Sequence, residues 1–216
     1  MKFVWQISVI TILIATAYAS STQESRAQFV DADYKFSLSD LTTTTNPGGT
    51  IDPIDLSNFP ALKDEGVSYS LFNIEPCGIN LPHLHPRATE ILYVFTGENI
   101  TVAFVEENRG RTIVNTIGQG EATVFPQGLI HFQQNFGCER ATYLSGLNHE
   151  DPGVVTINTQ IATFDKVPLA STFGISQEKV LTLFANQGGS PAAGQQECLD
   201  RCAAQKRALC RKKRSL

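Results

Sequence analysis

Short β-prone runs separated by turn residues fill the middle of the chain, and this pattern restricts the fold more than any other feature. Several runs alternate between apolar and polar side chains, and glycine, proline and asparagine separate them at near-regular spacing. A series of strands with no helices between them favours a sandwich or barrel over a βαβ fold. We therefore predict an all-β domain. The predicted strands span residues 67–74, 90–95, 101–106, 112–117, 122–125 and 141–147.

The segments that flank these strands are predicted to be a loop and short C-terminal helices. Residues 42–55 are rich in Thr, Gly and Pro and are typical of a long surface loop. Ser176 is a suitable N-cap for a short helix over residues 177–185. The Gly, Ser, Pro and Ala residues of 188–194 indicate a flexible linker. In the remaining tail, 195–216, Ala, Gln, Leu, Lys and Arg favour a second helix.

The N-terminus has the features of a secretory signal peptide over residues 1–19. Lys2 precedes a moderately apolar stretch, and Ala17 and Ala19 place small residues where a signal peptidase cleaves. A membrane anchor needs about 20 apolar residues, and this run is shorter and more polar. An uncleaved anchor is therefore the less favoured alternative. We expect a mature chain from Ser20 that is secreted, extracellular or in the cell wall. Asn99 starts the glycosylation sequon Asn-Ile-Thr at an expected turn.

The five cysteines are not arranged in CxxC pairs, and an oxidising compartment makes disulfides the default. Cys77 and Cys138 lie in the body of the chain, far from the others, so we predict that they pair with each other. Cys198 and Cys202 are four residues apart and would share one face of the tail helix. Together with Cys210 they leave one cysteine that is free or bridges two chains.

Charge divides the chain into an acidic body and a basic tail. Of the 216 residues, 42% are hydrophobic, which is enough for one folded domain. Residues 195–216 carry seven Lys or Arg against two acids, whereas the rest carries ten against nineteen. An overall charge of −4 argues against nucleic-acid binding. The tail would bind an anionic cell-wall polymer or simply keep a terminus solvated, and the second is favoured.

Three histidines and one glutamate have the spacing of a metal site. His83 and His85 would project from the same face of a strand. Glu90 would face away on a continuous strand, but residues 86–87 break the alternation, so a turn can return it on the next strand. His131 follows another predicted strand and its turn. Imidazoles with one carboxylate suit Mn, Fe, Zn or Cu, whereas structural zinc more often uses cysteine.

Two motifs make the chain resemble the germin-like cupins. Residues 78–90 read GINLPHLHPRATE and are followed, after six intervening residues, by Gly97, as in the first cupin motif. The second motif is present in Gly120, Pro126, His131 and Asn135. The likeness extends from about residue 28 to 185. One motif glycine is replaced by Cys77, and the chain lacks the two N-terminal cysteines of plant germins, which makes it similar to the spherulin-type branch.

The resemblance implies a jelly-roll cupin domain over residues 20–187 and an internal metal, which is manganese in germins. Its implied ligands are His83, His85, Glu90 and His131. Asn80 matches an asparagine that orients oxalate in germin oxalate oxidases, whereas a second cavity asparagine aligns with Ser70. Germins form oligomers, so a homo-oligomer between dimer and hexamer is expected.

Two functions remain open at this stage. One is a secreted manganese enzyme of the oxalate oxidase or superoxide dismutase type, which binds a small anion such as oxalate. The other is a non-catalytic, metal-binding protein of the cell wall or matrix, like the spherulins associated with encystment. A bound metal would stabilise the fold in either case, so the ligand set does not by itself establish catalysis.

Overall fold

The structure is a computed structural model that describes residues 28–41, 43–185 and 188–214. The predicted signal peptide, residues 1–19, lies outside the described residues. No helix in the described segments is both long and apolar enough to span a membrane.

In the described part of the chain, the strands form two antiparallel sheets that face each other. The strands are β1 (Thr44–Asn46), β2 (Gly49–Ile54), β3 (Ser68–Ile74), β4 (Ile79–Leu84), β5 (Glu90–Thr96), β6 (Ile100–Val105), β7 (Thr112–Ile117), β8 (Ala122–Phe125), β9 (His131–Asn135), β10 (Ala141–Leu147) and β11 (Val155–Thr156). The first sheet has the order β1-β2-β3-β10-β5-β8 and the second has the order β11-β4-β9-β6-β7. Strands distant in sequence are neighbours, so the chain crosses between the sheets as a jelly roll does.

The hydrophobic core lies between the two sheets. Strands β5 and β10 are buried at alternate positions, as expected for strands with one face toward a core. Phe72 and Tyr143 stack within it at 4.8 Å between ring centroids. The six predicted strands are confirmed, each to within one residue at its ends. The buried cluster contains Phe72, Ile74, Leu92, Val94, Ile100, Val102, Ile117, Phe125, Ala141 and Tyr143.

The prediction of a surface loop over residues 42–55 is wrong, because most of it forms β1 and β2. Strand β2 pairs with β3 along its whole length, and Asp52 and Ile54 are buried. The proline at position 53 is one of the residues on which the loop prediction rests. Pro53 is tolerated because β1 pairs only with residues 49–51 of β2, so no second neighbour needs its missing N–H.

The helices follow the strands in sequence. Ser176 accepts a hydrogen bond from the Lys179 N–H at the start of the helix Gln177–Phe184, which confirms the predicted cap. The helices Ile157–Ile161 and Lys166–Phe173 were not predicted from the sequence. The helices are α1 (Ile157–Ile161), α2 (Lys166–Phe173), α3 (Gln177–Phe184) and α4 (Gln196–Arg214), and short 3₁₀ turns span Asp31–Tyr34, Leu38–Asp40 and Pro60–Leu62.

The disulfides differ from the predicted Cys77–Cys138 pair, which is wrong. Cys77 is bonded to Cys198 and Cys138 to Cys202. The tail folds back onto the barrel, and one turn of α4 places its two cysteines on one face, as expected. The two disulfides are neighbours, with the sulfurs of Cys77 and Cys202 only 3.8 Å apart. Which cysteines pair is therefore decided by the folded structure and not by their separation along the chain. The side chain of Cys210 lies outside the described residues.

Candidate metal centre

The four predicted ligands come from both sheets and meet inside the barrel. His83 lies on β4 and is paired in register with His131, the first residue of the neighbouring β9. Glu90 is the first residue of β5 in the opposite sheet. His85 follows β4, and its carbonyl accepts a hydrogen bond from the Gly128 N–H. The turn between His85 and β5 therefore brings Glu90 back to the site, as predicted.

The ligand atoms of these four residues all lie within 4.8 Å of one another. Glu90 Oε2 is 3.1 Å from His85 Nε2 and 3.1 Å from His131 Nε2. Glu90 and His131 are each 2% exposed, and His83 is 4% exposed. Charged or polar groups buried this deeply need partners. The arrangement is one compact, largely buried cluster of three imidazoles around a carboxylate.

Each imidazole uses its Nδ1 atom to contact a backbone carbonyl. His83 Nδ1 is 2.7 Å from the Leu81 oxygen, and His131 Nδ1 is 2.9 Å from the Leu129 oxygen. His85 Nδ1 is 2.5 Å from the Gly153 oxygen. A carbonyl oxygen can only accept, so each Nδ1 carries the proton. In the neutral rings, the Nε2 lone pairs therefore remain for the centre of the site, as in metal-binding histidines.

The pKa shifts are consistent with this arrangement. Burial, together with nearby His131, lowers the pKa of His83 to about 3. Burial would lower the pKa of His85, but its hydrogen bond to Glu90 and the carboxylate charge raise it. Burial would raise the pKa of Glu90, but hydrogen bonds from His131 and His85 hold it well below its usual range. The carboxylate is thus charged, and His83 is neutral at neutral pH.

Two residues that sequence analysis missed orient the other carboxylate oxygen. Ser145 Oγ donates to Glu90 Oε1 at 2.6 Å, and Gln133 Nε2 donates to the same oxygen at 3.5 Å. Gln133 lies two residues after His131, so strand alternation could have indicated that it shares the same face. Nothing in the sequence points to Ser145. Its role depends on the pairing of β10 with β5.

The cluster opens into a cavity of about 730 Å³ that Asn80, Ser70 and Ser190 help to line. Asn80 is 4% exposed and donates from Nδ2 to Gln133 Oε1 at 2.8 Å. Its predicted role as a substrate-orienting residue stays a prediction. Asn99 lies in the exposed turn before β6, and its glycosylation also stays a prediction.

Comparisons with known proteins agree with this fold and site. Residues 36–181 match the family model described as Cupin. Spherulin-1A of Physarum polycephalum is 39% identical over 176 residues, which cover 81% of this chain and 70% of that protein. Germin-like protein 4-1 of Oryza sativa subsp. japonica is 37% identical over 148 residues, covering 64% and 57%.

Solved structures show the same architecture. An oxalate oxidase in complex with the substrate analogue glycolate matches with a TM-score of 0.67 and 27% identity, covering 73% of this chain and 82% of that one. An oxalate decarboxylase from Bacillus subtilis, at 23% identity and a TM-score of 0.63, covers 75% of this chain and 42% of that one and shares the fold alone. Because the family match spans more than half of the chain, this protein belongs to the cupin family, as a germin-like cupin similar to the spherulins.

Proposed function

We propose that this protein binds a divalent metal through His83, His85, Glu90 and His131, and that the metal is manganese. One observation carries the proposal: two Nε2 atoms approach a single carboxylate oxygen at 3.1 Å while their Nδ1 protons are held by backbone carbonyls. With Nδ1 protonated, each Nε2 can face the carboxylate either through a proton of its own, which makes the ring cationic, or through a shared cation. A metal ion would satisfy all of these atoms at once.

The donor set also favours one class of metal. Imidazole nitrogens with a carboxylate oxygen suit Mn, Fe, Zn or Cu, and the described thiols near the barrel are committed to disulfides. The resemblance to germins favours manganese among these. Iron, zinc and copper are the alternatives that metal analysis of the purified protein distinguishes from manganese.

The cavity supports a small anion as the second ligand of the site. A bound metal would act as a Lewis acid and template for an anion such as oxalate. Asn80 offers its amide to the cavity wall, while Ser145 and Gln133 hold Glu90. In oxalate oxidation by dioxygen, the C–C bond breaks to give two CO₂, and dioxygen takes up two electrons and two protons to give hydrogen peroxide. The structural likeness to an oxalate oxidase supports this activity.

Metal analysis with paired activity assays tests the proposal. The mature protein is purified from the culture medium of a secreting host, and its metals are measured by mass spectrometry. Hydrogen peroxide release from oxalate and removal of superoxide are then assayed. His131→Ala should lose the metal, whereas His149→Ala, a histidine outside the cluster, should keep it. Wild-type protein without bound metal would refute the metal site.

A second candidate function is a non-catalytic, metal-binding protein of the matrix or cell wall. The similarity to Spherulin-1A, which covers 81% of this chain, favours it. Bound manganese with neither activity would support this alternative over the enzyme. Under both proposals the protein is secreted, since disulfides persist in oxidising compartments.

Assembly into a homo-oligomer is part of the same proposal. The outer face of the first sheet exposes apolar side chains on β5 and β8, namely Ile91, Tyr93, Phe95 and Val124. Such a patch is typical of an interaction surface. Light scattering coupled to size-exclusion chromatography measures the assembly directly, and a monomer would refute it.

A further inference from the structure

Residues 190–202, here called the C-terminal strap, are part of the barrel wall and not the flexible linker and separate tail that the sequence predicts. The Gly48 N–H donates to the Pro191 oxygen at 3.1 Å, and Ala192 exchanges two backbone hydrogen bonds with Ile79 at 2.8 and 2.9 Å. Asn46 Nδ2 donates to the Ser190 oxygen at 2.9 Å. The strap therefore bridges the turn before β2 and the start of β4.

The two disulfides fasten this strap next to the site. Cys198 is bonded to Cys77, which lies three residues before Asn80 in the chain. Cys77 has a φ of 66°, in the left-handed region that favours glycine, and the resembled cupin motif has glycine there. Cys77 therefore holds an unfavourable backbone conformation for a residue with a side chain, at the point where the strap is covalently attached.

The strap carries one polar side chain into the metal cavity. Ser190 Oγ donates to Asn80 Oδ1 at 2.5 Å and accepts from the Leu81 N–H at 3.1 Å. Asn80 Nδ2 donates to Gln133, which in turn donates to Glu90. A continuous chain of hydrogen bonds thus connects the strap to a ligand of the candidate metal site.

The direction of this chain is fixed at both ends. The Glu90 carboxylate can only accept, so Gln133 turns its NH₂ group toward Glu90 and its oxygen toward Asn80. The Leu81 N–H can only donate, so the Ser190 hydroxyl proton goes to Asn80 Oδ1. The Asn80 amide is therefore held in one orientation. Its second Nδ2 proton has no acceptor among the described residues, and Asn80 lines the cavity.

We propose that Ser190 is a positioning residue that acts through Asn80, so that the amide presents an N–H donor to a small carboxylate anion bound in the cavity. Without the Ser190 hydroxyl, Gln133 alone holds the Asn80 amide, so the amide is less firmly kept in the orientation that points its N–H toward the anion. This inference rests on the proposed metal site, because the anion is expected beside the metal. It assigns a specificity-determining role to a residue outside both cupin motifs.

Oxalate binding to manganese-loaded protein tests the inference, with calorimetry for affinity and mass spectrometry for metal content. Ser190→Ala should weaken oxalate binding about tenfold and leave the manganese content unchanged. The side chains introduced by Ser190→Thr and Ser190→Val have nearly the same shape, but only threonine carries a hydroxyl. Ser190→Thr should therefore bind oxalate like wild type, and Ser190→Val should bind it as weakly as Ser190→Ala. Ser171→Ala, on the exposed surface of α2, is the matched control and should bind like wild type.

A double-mutant cycle separates positioning through Asn80 from a general structural effect. In an Asn80→Ala background, Ser190→Ala should cause no further loss of oxalate affinity. An equal loss in both backgrounds, or wild-type affinity in both Ser190→Ala and Ser190→Val, would overturn the inference while the metal site stands. Wild-type protein that binds manganese but not oxalate would overturn it as well. Wild-type protein without manganese would refute the proposed function itself.

Discussion

The barrel and the C-terminal strap with α4 are held in place by different forces. The barrel is stabilised by strand pairing and by a buried apolar cluster between its two sheets. Helix α4 is mostly exposed, and its described buried side chains are those of Cys198 and Cys202. Both of these are in disulfides. The barrel is thus held by packing, whereas the strap and α4 are held by the two disulfides and by the hydrogen bonds of residues 190–192.

The barrel and the strap therefore have different roles at the candidate metal site. The barrel positions the four candidate ligands from its own strands and from the turn after β4, and the tail supplies none of them. The strap contributes a hydroxyl that contacts Asn80 and no ligand atom. Changes in the barrel should therefore affect metal binding, whereas changes in the tail should affect stability and the selection of the anion. The predictions below test that separation.

The largest effect is expected from Glu90→Gln. Glutamine keeps the shape of the side chain but removes the charge that two imidazoles face at 3.1 Å. Manganese affinity should fall at least about a hundredfold, because one neutral ligand replaces the single anionic one. Equilibrium dialysis against manganese measures this. Glu75→Gln, a partly exposed carboxylate that pairs with Arg140, is the control and should bind as wild type does.

Loss of the disulfides comes next. The double variants Cys77→Ala/Cys198→Ala and Cys138→Ala/Cys202→Ala open links between residues 121 and 64 positions apart. Each should lower the free energy of unfolding by about 2–4 kcal/mol, since the unfolded chain gains freedom. Urea denaturation measures the loss. Manganese content should stay at the wild-type level, and its loss would show that the barrel site depends on the tail.

Sequence patterns predicted the barrel better than the tail, for a physical reason. Alternation of side chains along a strand is a local property, so the strand that begins at Glu90 and the pair His83 and His85 could be recognised directly. The contact of Ser190 with Asn80 depends on how the chain folds across a separation of 110 residues. The same holds for the disulfides, whose partners are set by how α4 lies against the barrel.

The loop prediction for residues 42–55 failed for a related reason. Proline and glycine usually end strands, and their effect on a strand depends on its neighbours. Pro53 is accommodated because β2 lacks a second partner strand at that position. Local composition does not show which positions of a strand are paired on both sides.

Acid should destabilise the metal-free barrel through His83. The pKa of His83 is lowered from 6.5 to about 3 in the folded protein. At pH values between these two, His83 is protonated in the unfolded chain and neutral in the folded protein. Stability is therefore lost as pH falls, by about 2 kcal/mol between pH 6.5 and pH 4.5. The pKa of His85 is raised, so His85 is protonated in both states in this window and adds little slope.

Urea unfolding of chelator-treated protein at several pH values measures this dependence. His83→Gln should remove most of it, whereas His149→Gln, outside the cluster, should retain it. An unchanged pH dependence in His83→Gln would mean that other groups, including those of the tail, govern acid stability.

The smallest effect is expected from the ion pair between tail and barrel. Lys206 Nζ lies 3.9 Å from Glu139 Oε1, and the two side chains are 56% and 85% exposed. Solvent screens such a pair, so Lys206→Ala should change the free energy of unfolding by less than about 0.5 kcal/mol. Urea denaturation at low and high salt measures it, with Lys179→Ala on α3 as a matched surface control. A loss of more than about 1 kcal/mol that disappears at high salt would show that charge attraction, in addition to the disulfides, holds the basic helix against the acidic barrel.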